Sequence, residues 1–139
     1  MLRIEVFNAH RKYRIARQKV SVYVKRVLRS AGMGSARVTV VFVDSRYARK
    51  INRMYLNHDY VTDVISFPLE RGRNLEGEVY VNLDWARQQA EEYGVSFANE
   101  VARLVIHGSL HLVGYDDTVV RKARLMKKEE DRQIRFWFS

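Results

Sequence analysis

Apolar and charged residues alternate from Leu2 to Phe7, the period-two pattern of a half-buried strand. Between Arg14 and Ser30 the period changes. Val20, Val24, Val27 and Leu28 recur at helical spacing, and Gly32 and Gly34 close that helix. Arg37–Val43 is β-branched and almost continuously apolar, which predicts a central strand, and Asp44 or Ser45 then caps a helix through Asn52. Thr62–Phe67 predicts a third strand, stopped by Pro68, and Gly77–Leu83 an alternating fourth, with a polar turn between them. Asp84 caps a short helix to about Tyr93, ended by Gly94. Ser96 caps the next, which carries Val101, Leu104, Val105 and Leu112 before Gly114 breaks it, and a last helix is expected from Thr118 to about Phe136. The implied fold class is α+β, a four-stranded mixed sheet covered by about five helices. With no repeat, no low-complexity tract and no linker, the 139 residues are expected to form a single domain.

Composition narrows the chemistry. The chain has no cysteine, so disulfides and thiolate ligands are excluded, and any metal must be held by imidazole nitrogen and by oxygen. The alternating N-terminus is unlike a secretory leader, and no apolar stretch is long enough to cross a bilayer, so a cytoplasmic location and no membrane partner are expected. The net charge of +9 is unevenly placed: residues 1–60 hold 14 Lys/Arg against 3 Asp/Glu. A basic half of this kind attracts polyanions, although solvated charge that only maintains solubility is an equal reading of charge alone.

The stretch His107-Gly-Ser-Leu-His111-Leu-Val-Gly114-Tyr-Asp116-Asp117 carries the strongest chemical signal. Two histidines four apart lie on one face of a helix, so both imidazoles can reach one ion. Gly114 tolerates positive φ and lets the chain swing back, bringing Asp117 toward the same place. Three ligands leave a position open for water, whose pKa a catalytic zinc lowers to about 7, whereas a structural zinc usually has four protein ligands. One Zn2+ per chain is therefore expected, with other divalent transition metals as alternatives. The spacing resembles extended zinc-peptidase motifs, but the glutamate base that follows their first histidine is replaced by Gly108, which argues against a metallopeptidase. Other readings stay open at this point: ordinary hydrogen-bonded helix histidines, and Asp116 or Asp117 as turn former or N-cap of the last helix.

The segment Val105-Ile-His-Gly-Ser-Leu-His-Leu-Val-Gly-Tyr-Asp116 resembles the signature of the YbeY family of rRNA maturation factors, regarded as metal-dependent endoribonucleases. The resemblance extends to Asn52-Arg-Met-Tyr-Leu-Asn-His-Asp59, Thr62-Asp-Val-Ile-Ser-Phe-Pro68, Gly77-Glu-Val-Tyr-Val81 and the helix after Asp84, covering about residues 35–130. Two positions depart from the family pattern. Asp117 stands where a third histidine is usual, so His107, His111 and Asp117 are the implied metal and catalytic residues. Leu56 stands where many members carry an arginine, whose place His58 or Arg53 could partly take.

The resemblance implies single-stranded RNA as substrate, particularly the 3′ end of 16S rRNA, with the small ribosomal subunit as partner and a role in ribosome maturation and quality control. The basic first half agrees with a polyanionic substrate. Arg53, His58, Arg103, Lys122 and Arg124 are the candidate RNA contacts. Arg103 lies one turn before His107, and the last two lie in the basic run from Arg121 to Lys128. A second basic cluster spans Arg11 to Lys19, Thr62 and Ser66 are candidates to border the cleft, and Phe67 and Tyr115 could stack on bases or simply belong to the core. The rival from another class is an RNA- or ribosome-binding assembly factor with a structural or vestigial metal site.

Overall fold

The β-branched and alternating segments pair as expected in a computed structural model, which describes residues 1–58 and 60–138. Asp59, at the end of the Asn52 stretch, lies outside them. The strands are β1 (Leu2–Asn8), β2 (Ser35–Val43), β3 (Val64–Glu70) and β4 (Asn74–Asn82), in the order β1-β2-β4-β3. β1, β2 and β4 run parallel, and β3 closes one edge antiparallel to β4, which makes the sheet mixed. The helices are α1 (Arg17–Ser30), α2 (Ser45–Leu56), α3 (Leu83–Tyr93), α4 (Phe97–Leu112) and α5 (Val120–Trp137). The α+β class and the count of five helices agree with the sequence pattern.

Several boundaries differ from it for physical reasons. Pro68 does not stop β3: it sits in an edge strand, paired opposite Gly77, where a missing N–H need not break a ladder, and the strand continues past an irregularity to Glu70. The polar segment expected as a turn is mostly strand, because Asn74–Glu76 pairs in parallel with Ser35–Arg37. Helix α1 starts at Arg17, not Arg14. Helix α3 is capped by Asn82, whose Oδ1 accepts from the backbone N–H groups of Asp84 and Trp85 at 3.0 and 3.3 Å. The Asp84 carboxylate instead accepts from the Ser45 N–H at 2.9 Å and pairs with His10 Nε2 at 2.7 Å, tying the chain after β1 to the starts of α2 and α3. Helix α5 starts at Val120 and has no side-chain cap. Asp116 Oδ1 accepts from the Thr118 backbone N–H and hydroxyl, so it shapes the turn before that helix.

One face of the sheet carries Val38, Val40 and Phe42 of β2 and Val79 and Val81 of β4, all with no exposed surface, against α1 and α4. Burying each such side chain contributes about 1.5–3 kcal/mol before entropy is counted. Helix α4 is central: α1, α3, α5, β3 and β4 all pack on it. Only Arg103, His107 and His111 escape full burial between Val101 and Leu112, a single stripe four residues apart.

Gly108 lets α4 lie this close to the sheet. A Cβ there would stand 2.5 Å from Val79 Cγ1, 3.1 Å from Ser66 Oγ and 3.2 Å from Val64 Cγ2. The Ser66 hydroxyl also donates to the Gly108 carbonyl at 2.9 Å, which pins the edge strand to the helix. A glutamate at this position would be driven into β4, so the missing peptidase base has a packing cause. Gly108→Ala is expected to destabilise the protein by about 1 kcal/mol, because overpacking costing roughly 1–3 kcal/mol outweighs the ~1 kcal/mol helix-propensity gain of alanine. Urea unfolding would measure this, and a variant as stable as the parent would contradict the close approach.

Candidate metal centre

His107 and His111 project from the one open stripe of α4, with ring centroids 4.8 Å apart. Beyond Leu112 the helix unwinds through Gly114, whose φ of 107° suits glycine, and the Tyr115 N–H returns to the Leu110 carbonyl at 3.0 Å. That reversal carries Asp117 back over the histidines. Its Oδ2 lies 3.8 Å from Nε2 of His107 and 3.8 Å from Nε2 of His111, and one donor atom from each residue falls within 4.8 Å of the others. Donors around a tetrahedral zinc with bonds of about 2.0–2.1 Å stand roughly 3.3–3.4 Å apart, so each imidazole must close on the Asp117 oxygen by about half an ångström, and the widest donor pair, within 4.8 Å, by up to about 1.4 Å, to reach bonding range. Two imidazoles and a carboxylate also suit zinc or another divalent transition ion chemically. The cluster can hold a metal. Because α5 has no side-chain cap, the alternative role of Asp117 as its N-cap is not taken.

Glu130 of α5 was invisible to motif reading. Its Oε2 lies 2.8 Å from His107 Nδ1, and its Oε1 accepts from Arg103 Nη1 at 2.6 Å. Arg103 also reaches Asp131 at 3.2 Å, and Lys127 donates to Asp131 at 2.8 Å. Burial pushes the Glu130 pKa up, but His107 and Arg103 more than reverse this, and the net shift is downward, so the carboxylate is ionised. Burial likewise pulls His107 down, but the hydrogen bond and charge of Glu130 win and its pKa is raised. His111, which lacks such a carboxylate, is lowered by burial and by the charge of His107. The ionised Glu130 favours the His107 tautomer with its proton on Nδ1, leaving the Nε2 lone pair toward Asp117.

The three residues open on a cleft of about 620 Å³, walled by Val64–Ser66 of β3 and by Asn52 and Leu56 of α2. Thr62 and Ser66 both line it, as does His58, whose ring stacks on Tyr60 at 5.2 Å. Arg71, from the β3–β4 turn, is the only lysine or arginine lining this cleft among the described residues, and no sequence motif pointed to it. The other basic candidates stand elsewhere. Arg103 is held by Glu130 and Asp131, Lys122 lies 3.4 Å from Asp116, and Arg53 lines a separate groove behind α2. Arg124 is exposed on α5 and does not line the cleft. Phe67 packs edge-on between Tyr55 and Tyr80, while Tyr115 lies against the core and also lines the cleft.

A second cavity, of about 590 Å³, lies on the other side of His107 between α3 and α5. Glu100 lines it, only 1% exposed, and its Oε1 has no hydrogen-bond partner among the described residues. Burial raises its pKa to about 7, opposed by Arg103 and reinforced by Asp63 and Glu130.

Comparison with known proteins places these features in a family. The model of the family described as Endoribonuclease YbeY matches residues 5–137. An Endoribonuclease YbeY from Chlorobium phaeobacteroides is 37% identical over 131 residues, 94% of each chain. Another from Chlorobium luteolum is 40% identical over 115 residues, 83% of this chain and 84% of that one. The solution structure of a Thermotoga maritima protein superposes with a TM-score of 0.64 at 26% identity, covering 94% of this chain and 86% of that one.

The buried Glu100 has a consequence for stability. Its folded pKa, about 7, lies above the value of 4.5 for a free carboxyl, so ionisation favours the unfolded chain. Its stabilising effect is complete below about pH 4.5 and is lost as the pH rises through 7, a difference on the order of 2–3 kcal/mol. Glu100→Gln is therefore expected to be about 1–3 kcal/mol more stable than the parent at pH 8, with the gap shrinking toward pH 5. Urea unfolding at both pH values is the measurement, and a gap independent of pH would contradict the assignment.

Proposed function

Because the chain belongs to the YbeY endoribonuclease family, we propose that it cleaves single-stranded RNA at the cleft in front of His107, His111 and Asp117, with one bound zinc ion as cofactor. The observation that carries this reading is the convergence of two Nε2 atoms, each 3.8 Å from one Asp117 carboxylate oxygen, at the wall of an open cleft. A fourth protein ligand, which would close the site as a structural one, is not part of the cluster among the described residues.

Each residue then has a role that its surroundings support. His107 and His111 offer Nε2, and Glu130 holds the His107 proton at Nδ1 so that the other nitrogen stays a donor. Asp117 adds an anionic oxygen, which lowers the charge of the site and widens its tolerance toward manganese or iron. A zinc ion bound there would supply Lewis-acid polarisation of a phosphoryl oxygen and acidification of a water. Arg71 brings a cation to the cleft mouth, where it can pair with a phosphate. The outer edge of β3 offers backbone groups to an extended strand, and the exposed aromatic rings of Tyr55 and Tyr60 offer faces to its bases. The substrate in the cell is proposed to be the 3′ region of 16S rRNA on the small ribosomal subunit, in the cytoplasm. The metallopeptidase alternative is disfavoured by Gly108, since a side chain there would collide with Val79.

Purified protein should contain about one zinc per chain by elemental analysis, lost in His107→Ala. Cleavage of single-stranded RNA should disappear with a chelator and fall by at least about a hundredfold in His111→Ala, on the order of 3 kcal/mol. Equal activity in parent and variant would mean a contaminating nuclease and would sink the enzymatic reading. Glu130→Gln keeps the shape of the carboxylate but not its charge, and should weaken zinc binding by about 10–100-fold in a competition titration. Unchanged affinity would remove Glu130 from the design of the site.

A further inference from the structure

Helix α2 separates the metal cleft from a second groove. Asn52 and Leu56 face the cleft, as do Tyr60 and Thr62 of the following segment. Arg46, Lys50 and Arg53 line the other groove, of about 790 Å³, with Val61 and with Ala9 and Val43 at the C-terminal ends of β1 and β2. Positions 46, 50 and 53 follow i, i+4, i+7, so the three cations form one row along the helix. All three are exposed, and none is in a hydrogen bond or ion pair with an acidic side chain among the described residues. Arg49 lines the same groove. The one acidic residue there, Asp44, is occupied by the Tyr47 N–H at 2.8 Å, and the exposed Tyr47 ring also borders the groove.

This arrangement differs from the other basic side chains near the site. Arg103, Lys122 and Lys127 are each neutralised by a carboxylate, whereas three unpaired cations in a row repel one another and gain by meeting an anion. A single small anion would satisfy one or two of them. A row about 10 Å long, seven residues at 1.5 Å rise, suits a polyanion with regularly spaced charges. The aromatic ring beside it suits a base from the same strand.

We propose that this groove is a phosphate-binding track for the RNA strand that continues beyond the metal cleft, crossing α2 and meeting Arg46, Lys50 and Arg53. It rests on the reading of the protein as an endoribonuclease only for the identity of the polyanion. Among the described residues Arg71 is the single lysine or arginine of the cleft itself, so the track supplies most of the electrostatic attraction while the metal centre supplies the chemistry. Affinity and cleavage are therefore separable on this surface.

The test uses the His111→Ala protein, so that RNA is not consumed, and a fluorescent twelve-nucleotide single-stranded RNA titrated by anisotropy between 50 and 200 mM KCl. In that background the triple change Arg46→Gln, Lys50→Gln, Arg53→Gln should bind at least tenfold more weakly at 50 mM KCl. The slope of log affinity against log salt should fall by about two, since each phosphate contact on a single strand contributes about 0.7. A charge-matched control, Arg121→Gln, Arg124→Gln, Lys128→Gln on α5, should change the slope by less than one. Circular dichroism and the thermal midpoint verify that each variant is folded. A slope change of one or less in the α2 variant, or an equal loss in the α5 control, overturns the track. The enzymatic reading is judged separately, by whether the parent cleaves RNA and the His111→Ala protein does not, so either proposal can fail without the other.

Discussion

Contact between α4 and the sheet at Gly108 is the constraint around which the site is arranged. The helix is pressed so close to β4 that only a hydrogen fits, and the Ser66 hydroxyl bonds to the carbonyl of the same residue. This contact sets the rotation of the helix about its axis. Once Gly108 faces inward, His107 and His111 must share the remaining open stripe, because residues four apart lie on one side of a helix. The same rotation places both imidazoles beside the Val64–Ser66 wall, so core packing and formation of the cleft are one event.

The other half of the site is brought by α5, which is docked through Met126 and Ile134, both nearly fully buried. Between them Glu130 joins His107 to Arg103, and Arg103 joins Glu130 to Asp131. Burying a carboxylate is costly unless it is paired, and here two cationic or polar donors satisfy its two oxygens. The pairing therefore serves the fold and the metal ligand together. Loosening α5 would release the His107 ring as well as the helix, which couples stability of the C-terminal helix to the competence of the site.

How much of this was legible in the sequence follows from the distance over which each feature is determined. The His107–His111 pair, the turn at Gly114 and the position of Asp117 are local, set by helical periodicity and one glycine, and all could be read directly. Glu130 could not: it is 23 residues from its partner, and on α5 it is the middle one of three consecutive acidic residues, Glu129, Glu130 and Asp131. Arg103 reads as a candidate phosphate contact because its helix stripe is legible while the α5 carboxylates opposite it are not. Pro68 reads as a strand end because propensity alone does not say that β3 is an edge, and Asp84 reads as a cap because Asn82, two residues earlier, competes for the same backbone groups. Long-range partners decided each of these, and none leaves a local trace.

The distribution of charge completes the picture. A site with three ligands, one of them anionic, beside Glu130, Asp63 and Asp116, is not an attractive place for a polyanion by itself. Placing the unpaired cations along α2, in a groove separate from the one that the ligands line, avoids a conflict. Cations directly beside His107 and His111 would repel a divalent ion and lower its affinity, whereas cations across the helix are partly screened at the ~8 Å Debye length of physiological salt. An RNA strand long enough to bridge the two regions can still use both. The uneven charge of the chain, concentrated in residues 1–60, is thus compatible with a metal centre built almost wholly from residues after position 100.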